Sequence, residues 1–220
     1  MATPRKKVKI RDHDRTRRRL LEVVGEILRD TGYTGLKTNN IARRLGKDKN
    51  LIRYYFHSLN NLEKAYIREN DYWFAFFEHF SLPENPERRQ VQQLFTDLML
   101  ENFKVFRDNI EMQKIILWQI SENNPLMKSV SDQREEEGEK VLKMTDPFFA
   151  GSDINFRALI ALLLGGIYYI VLHGETNKST VSGIDINLEK DRKAISETIR
   201  QVISWAWEKS AVGTMEKTGK

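Results

Sequence analysis

The residues whose types and spacing could do chemistry cluster in one stretch, Gly32 to Phe56, which reads GYTGLKTNNIARRLGKDKNLIRYYF. Lys49, Asn50, Arg53 and Tyr54 recur there at spacings that put them on one side of a short helix, with Leu51, Ile52, Tyr55 and Phe56 on the other. A lysine ammonium donates to guanine, and an asparagine amide pairs bidentately with adenine. A guanidinium meets phosphate oxygens with a planar fork of donors. The chemistry on offer is recognition through hydrogen bonds and charge.

Nothing else in the chain competes as a reaction centre. There is no cysteine, which removes disulfides, thiolate metal sites and cysteine nucleophiles together. His13, His57, His79 and His173 are scattered and form no i, i+4 metal pair. No Gly-rich phosphate loop or nucleophile elbow is found, and Glu135, Glu136, Glu137 and Glu139 read as a solvated helix face. The protein is expected not to be an enzyme and to use no metal and no cofactor.

The elements needed to hold the polar ridge are legible around it. Leu20, Val23, Val24, Ile27 and Leu28 recur at three- and four-residue spacing, the stripe of an amphipathic helix that Gly32 ends. Thr38 is expected as the N-cap of a short helix turning Ile41, Ala42 and Leu45 inward, and Gly46 supplies the tight turn after it. Asp48 caps the third helix, and Ser58 or Asn60, the latter in a capping box with Glu63, starts a fourth. Two short helices, a small residue at their crossing and a turn free of Cβ meet the needs of a helix-turn-helix unit, whose second helix enters a major groove about 12 Å wide. Beyond it the pattern stays helical near 62–80, 87–107, 109–122, 125–145, 154–173 and 188–208, with prolines between segments and an irregular loop at 174–187. The expected fold class is all-α, with about nine helices: a three-helix DNA-binding unit followed by a larger helical bundle.

The stretch resembles the TetR family of bacterial transcriptional regulators over about residues 17 to 66. The matching residues are Gly32, Tyr33, Thr38, Ile41, Ala42, Gly46, Tyr55 and Phe56, followed by Ser58 and Leu62. Lys47 and Asp48 stand where that family has Val-Ser or Val-Thr, Arg53 where it often has a phosphate-binding tyrosine, and Leu59 where it usually has lysine. Resemblance and side-chain chemistry together assign Thr38, Arg53 and Tyr55 to the DNA phosphates, and Lys49, Asn50 and Tyr54 to base edges.

Charge divides the chain. Residues 1 to 68 hold 18 Lys plus Arg against 7 Asp plus Glu, a net of +11, which leaves −6 for the rest of a chain of net charge +5. A basic segment on an acidic body fits a protein of which one part meets a polyanion. The expected organisation is a basic flexible arm at 1–16, the helix-turn-helix domain at 17–62, an effector-binding and dimerisation domain at 63–210, and a flexible tail at 211–220. The arm is either a solubilising tail or a phosphate-tracking element. The start Met1-Ala2-Thr3-Pro4-Arg5 is no secretory signal, and the apolar run Ala158 to Leu172 is short of the roughly 20 residues of a membrane span. A core helix and a cytoplasmic location are expected, with no membrane partner. A membrane-surface protein using the basic segment against anionic lipid is the alternative.

A lone helix-turn-helix touches too few bases for discrimination, so a homodimer on double-stranded DNA is expected. The resemblance implies pairing of the last two helices with their mates, through Ile160, Leu163, Leu164, Ile167, Ile195, Ile199, Val202 and Ile203. It also implies a largely apolar small-molecule effector in the body, near Phe95, Met99, Phe103, Trp118 and Tyr168, whose binding releases a repressor from its operator.

Overall fold

The computed structural model describes residues 5–81, 83 and 85–218, with side chains from His13 to Ala211 apart from Leu82 and Glu84. Among these residues the chain is all-α, as expected. Eleven helices follow in order: α1 (Arg5–Thr31), α2 (Thr38–Leu45), α3 (Asn50–Phe56), α4 (Leu59–Asn70), α5 (Tyr72–His79), α6 (Arg88–Asp108), α7 (Ile110–Ser121), α8 (Pro125–Leu142), α9 (Asp146–Phe149), α10 (Phe156–Asn177) and α11 (Glu189–Thr218), with a 3-10 turn at Tyr33–Gly35.

The count exceeds nine for local reasons. The segment 62–80 breaks at Asp71, whose backbone is extended (φ −94, ψ 124) and whose carboxylate accepts the Trp73 amide at 2.8 Å, capping α5. A four-residue helix, α9, with Pro147 in its first turn, follows α8. The only β-bridge described joins Val181 to Ile184 across Ser182 (φ 53) and Gly183 (φ 80), a tight turn of the primed type. α10 extends to Asn177, shortening the loop expected at 174–187.

Both ends are more helical than expected. α1 starts at Arg5, so all of the basic arm but residues 1–4, which lie outside the described residues, continues one helix; Arg and Lys are good helix formers, and neither Gly nor Pro interrupts 5–24. α11 runs to Thr218 through most of the expected tail, and residues 219–220 lie outside the described residues.

The chain forms two compact units. The first takes the described residues up to Ala75 together with Ile110–Ser131, so the helix-turn-helix expected over 17–62 belongs to a larger body. Its core is the α1 stripe Leu20, Val23, Val24, Ile27 and Leu28, buried against Ile41, Ile52, Phe56, Leu62, Ile67, Ile115, Trp118 and Met127. Burying side chains of this size contributes about 1.5–3 kcal/mol each, which holds three short helices that could not persist alone. α1 crosses α4 closely at Gly25, where a Cβ would lie 2.8 Å from the Tyr66 hydroxyl oxygen.

The second unit, Phe76–Asn109 with residues 132 onward, is organised on α6, against which α10 and α11 pack. Val91, Phe95, Met99, Phe103 and Phe106 form the buried stripe of α6. Phe156, Phe149 and Trp207 make an aromatic cluster with centroids 4.5 to 5.6 Å apart. Arg88 closes its end, donating to Ser210 Oγ at 2.6 Å and lying 5.0 Å over the Trp207 ring.

Candidate nucleic-acid interface

The polar ridge is held by devices read from the sequence, with some exchanged. Gly46 closes α2 in the left-handed conformation (φ 67, ψ 29), its N–H reaching the carbonyls of Ala42 and Arg43. Asp48 then accepts the Asn50 amide at 2.7 Å, preserving the start of α3. Thr38 is not the N-cap: Lys37 occupies that place with extended backbone and no side-chain cap bond, and Thr38 is the first helical residue, half-buried. Asn60 and Glu63 form no capping box either. Ser58 is the cap of α4, accepting from the Asn61 amide at 3.1 Å, while Glu63 is buried and its carboxyl pKa is pushed up to about 7 by desolvation.

On α3 the division of faces is as expected for Ile52 and Phe56, which are buried, and for Asn50, Arg53 and Tyr54, which are exposed, as is Lys49 just before the helix. Tyr54 is 68% exposed, an unusual position for so large a ring. Among the described residues the side chains of Lys49, Asn50 and Arg53 have no hydrogen bond or ion pair within the chain, so their donors stay available. Tyr55 is half-buried and belongs to a ring cluster, 4.9 Å from Tyr54 and 4.7 Å from His13. Of the neighbouring cations, Arg44 pairs with Asp30 and Arg43 donates to Asn40 at 2.9 Å, which holds both to the body. Leu59 packs on the core.

His13 and Arg17 were not singled out by the sequence reading. Arg17 lies 5.1 Å over the Phe56 ring, and His13 is an exposed neighbour of both tyrosines. The signal was there: both continue the Leu20 stripe backward at helical spacing.

The residues expected at a dimer seam divide. Ile160, Ile167, Ile199 and Ile203 are buried in the unit's own core, while Leu163, Leu164, Ile195 and Val202 are half-buried. The exposed apolar residues of the two helices are Leu162 (78%), Tyr169 (59%) and Trp205 (58%), beside the open backbone of Gly165. α10 is therefore no buried core helix, and it is long and apolar enough to cross a membrane by length and composition. Of the residues expected around an effector, Phe95, Met99 and Phe103 are buried on α6, and Tyr168 packs against Phe106 at 4.5 Å. Trp118 lies in the first unit, stacked on Tyr33 at 5.7 Å with parallel planes. Phe103 also borders an open groove of about 740 Å³ along α6 and α11 whose rim is charged, with Asp97, Glu101, Lys104, Arg192 and Arg200.

No family model matches the chain, and no curated protein matches it. Solved structures share its architecture, two of them as follows. One is NalD, the secondary repressor of the MexAB-OprM multidrug efflux pump in Pseudomonas aeruginosa, with a TM-score of 0.54 at 15% identity over 86% of this chain and 96% of that one. The other is a TetR family transcription regulator from Marinobacter aquaeolei VT8, with a TM-score of 0.53 at 16% identity over 91% of this chain and 97% of that one. The chain has the fold of TetR-type transcription regulators.

Proposed function

We propose that the protein is a sequence-specific DNA-binding transcriptional regulator, a repressor that acts as a homodimer and leaves its operator when a small molecule binds in the second unit. The observation that carries this reading is the α3 ridge. Lys49, at the start of a short helix, and Asn50, Arg53 and Tyr54 on it stand exposed, the helix pinned by the Gly46 turn and the Asp48 cap in the most basic part of the chain. Lys49, Asn50 and Tyr54 read base edges; Arg53, Thr38 and the Tyr55 hydroxyl hold the backbone.

The exposed Leu162, Tyr169 and Trp205, with Gly165 and Ala161 allowing close approach, support self-association through α10 and α11. Two recognition helices related by a two-fold axis then meet two half-sites. For the effector, the support is Asn102 on the buried stripe of α6. It is 0% exposed, and neither its amide nitrogen nor its amide oxygen has a partner. An unpaired buried amide costs about 1–3 kcal/mol, a cost that a ligand bearing both a donor and an acceptor would remove. Such a ligand shifts the population of DNA-competent dimers only through differential affinity for the two states.

The test is binding to duplexes enriched from a random pool, read by fluorescence anisotropy. Arg53→Ala is expected to weaken all sequences alike, and Asn50→Ala to relax preference at one base position by about 1–3 kcal/mol. Uniform loss from both would refute the residue roles. Binding to anionic vesicles without duplex selectivity would refute the reading as a whole.

A further inference from the structure

The open groove between α6 and α11 belongs neither to the DNA ridge nor to the surroundings of Asn102. It has a volume of about 740 Å³ and lies wholly within the second unit. At about 100° per residue, Asn102 stands about 160° around α6 from Leu100 and Lys104, which line the groove, so the two places are on opposite sides of one helix. The two helices run antiparallel: Arg88 at the start of α6 reaches Ser210, and Asp108 at its end lies in the field of Arg192, near the beginning of α11. From Asp97 to Arg107 the groove follows α6 for about 15 Å, at 1.5 Å per residue.

Most of the charges on the rim are already matched. Glu101, Glu189 and Glu197 each pair with a cation of their own helix, Lys104 at 3.8 Å, Lys193 at 2.7 Å and Arg200 at 3.8 Å. Arg107 forks onto both oxygens of Asp108 at 2.8 Å. Arg192 differs from these. One nitrogen of its guanidinium donates to the carbonyls of Ile186 at 3.0 Å and Asn187 at 2.7 Å, and among the described residues no carboxylate lies within ion-pair distance of it. Its other donors therefore remain for a ligand, and the carbonyls hold the fork in place. The fields of Lys104 and Arg192, after the Arg107 fork, keep the Asp108 carboxyl below the usual carboxylate range, so cations from both helices converge at this end. Next to it, Leu100 and Phe103 line the groove with apolar surface.

We propose that the groove binds a single-chain amphiphilic acid, with its carboxylate on Arg192 beside Lys104 and its apolar chain along Leu100 and Phe103. A guanidinium in surplus selects an anion, and the apolar stretch beside it rewards a chain that leaves water. A small inorganic anion would leave that stretch uncovered. Asp97, the carboxylate at the far end, accepts from the Gln93 amide at 2.9 Å and stands farther from Arg107 along α6 than the screening length of about 8 Å at physiological salt, so it does not oppose the acid group.

The test uses the full chain and decanoate below its micelle concentration, followed by isothermal titration, with decanol as the uncharged counterpart. Decanoate is expected to bind once per chain and at least about tenfold more tightly than decanol, the size of one charge-assisted hydrogen bond. Arg192→Gln is expected to bring decanoate down to the level of decanol, and Lys104→Gln to weaken it about two- to fivefold. Lys190→Gln removes an exposed charge from the same helix outside the groove lining and is expected to leave affinity unchanged. Should loss of Arg192 disturb the loop it holds, Lys104→Gln, at an exposed position, gives the decisive measurement. Equal affinity for decanoate and decanol, an equal loss from Lys190→Gln, no loss from either groove variant, or no binding of decanoate at all overturns the proposal. Uptake of the chain by anionic vesicles without affinity for free decanoate overturns it in favour of a lipid surface.

Discussion

The close crossing of α1 and α4 sets the rigidity of the first unit, and it can be tested at two atoms. A methyl group at position 25 would sit 2.8 Å from the Tyr66 hydroxyl oxygen and 3.1 Å from the ring carbon Cε2. Tyr66 is 4% exposed, and its hydroxyl is buried without a hydrogen-bond partner, an environment that also holds it neutral by raising its pKa. On helix propensity alone Gly25→Ala would stabilise α1 by about 1 kcal/mol. The contact opposes this gain: overpacking costs about 1–3 kcal/mol against a ring that is itself buried, so a net loss of up to about 2 kcal/mol is expected. Tyr66→Phe removes an unsatisfied buried hydroxyl and is expected to gain about 1 kcal/mol. In the double variant the contact with the oxygen is gone while the one with Cε2 stays, so the alanine recovers part of its propensity gain. Urea unfolding of the four proteins should return a coupling energy of about 1–3 kcal/mol in favour of the double variant. Strict additivity, or a stabilising Gly25→Ala alone, would refute the crossing geometry and with it the account of how α3 is held.

The remaining predictions address titration and assembly. Glu63 has its folded pKa raised from 4.5 to about 7 by burial, so the folded state binds more protons than the unfolded state between those values, and stability falls as pH rises through that window. At about 1.36 kcal/mol per unit the loss approaches about 3 kcal/mol by pH 8; Glu63→Gln should flatten the dependence and raise stability at pH 8, and an unaltered pH profile of chemical denaturation would contradict this. Trp205→Glu puts like charges on the exposed face of both partners and should weaken self-association at least about tenfold by sedimentation, with a parallel loss of operator affinity and no loss of helix content. Ile203→Glu, whose side chain is fully buried, should instead unfold the second unit; a folded monomer from Ile203→Glu and an intact dimer from Trp205→Glu would invert the assignment.

The sequence by itself determined the class of fold, the α1 stripe, the Gly46 turn, the Asp48 cap and the polar ridge of α3. Each of these is encoded over fewer than about ten residues, through helical period, a positive φ or a side chain bonding its own backbone, and such signals do not depend on distant contacts. Capping residues were less legible, because Ser58 and Asn60, or Lys37 and Thr38, differ by one or two positions that only the path of the incoming chain decides. Tertiary structure alone decided the rest. Periodicity marks Ile160, Ile167, Ile199 and Ile203 as apolar, but α10 and α11 are apolar on more than one face, and which face meets α6 and which stays open at Leu162, Tyr169 and Trp205 is set by packing across the chain. Trp118, which the family resemblance implies near an effector, stacks on Tyr33, some eighty residues earlier in the sequence, a contact that its spacing on α7 does not contain. The approach of His13 to α3 is of the same kind: the Leu20 stripe continued backward marks the face of α1 but not what it meets, because one amphipathic stripe serves equally for any partner the fold brings to it.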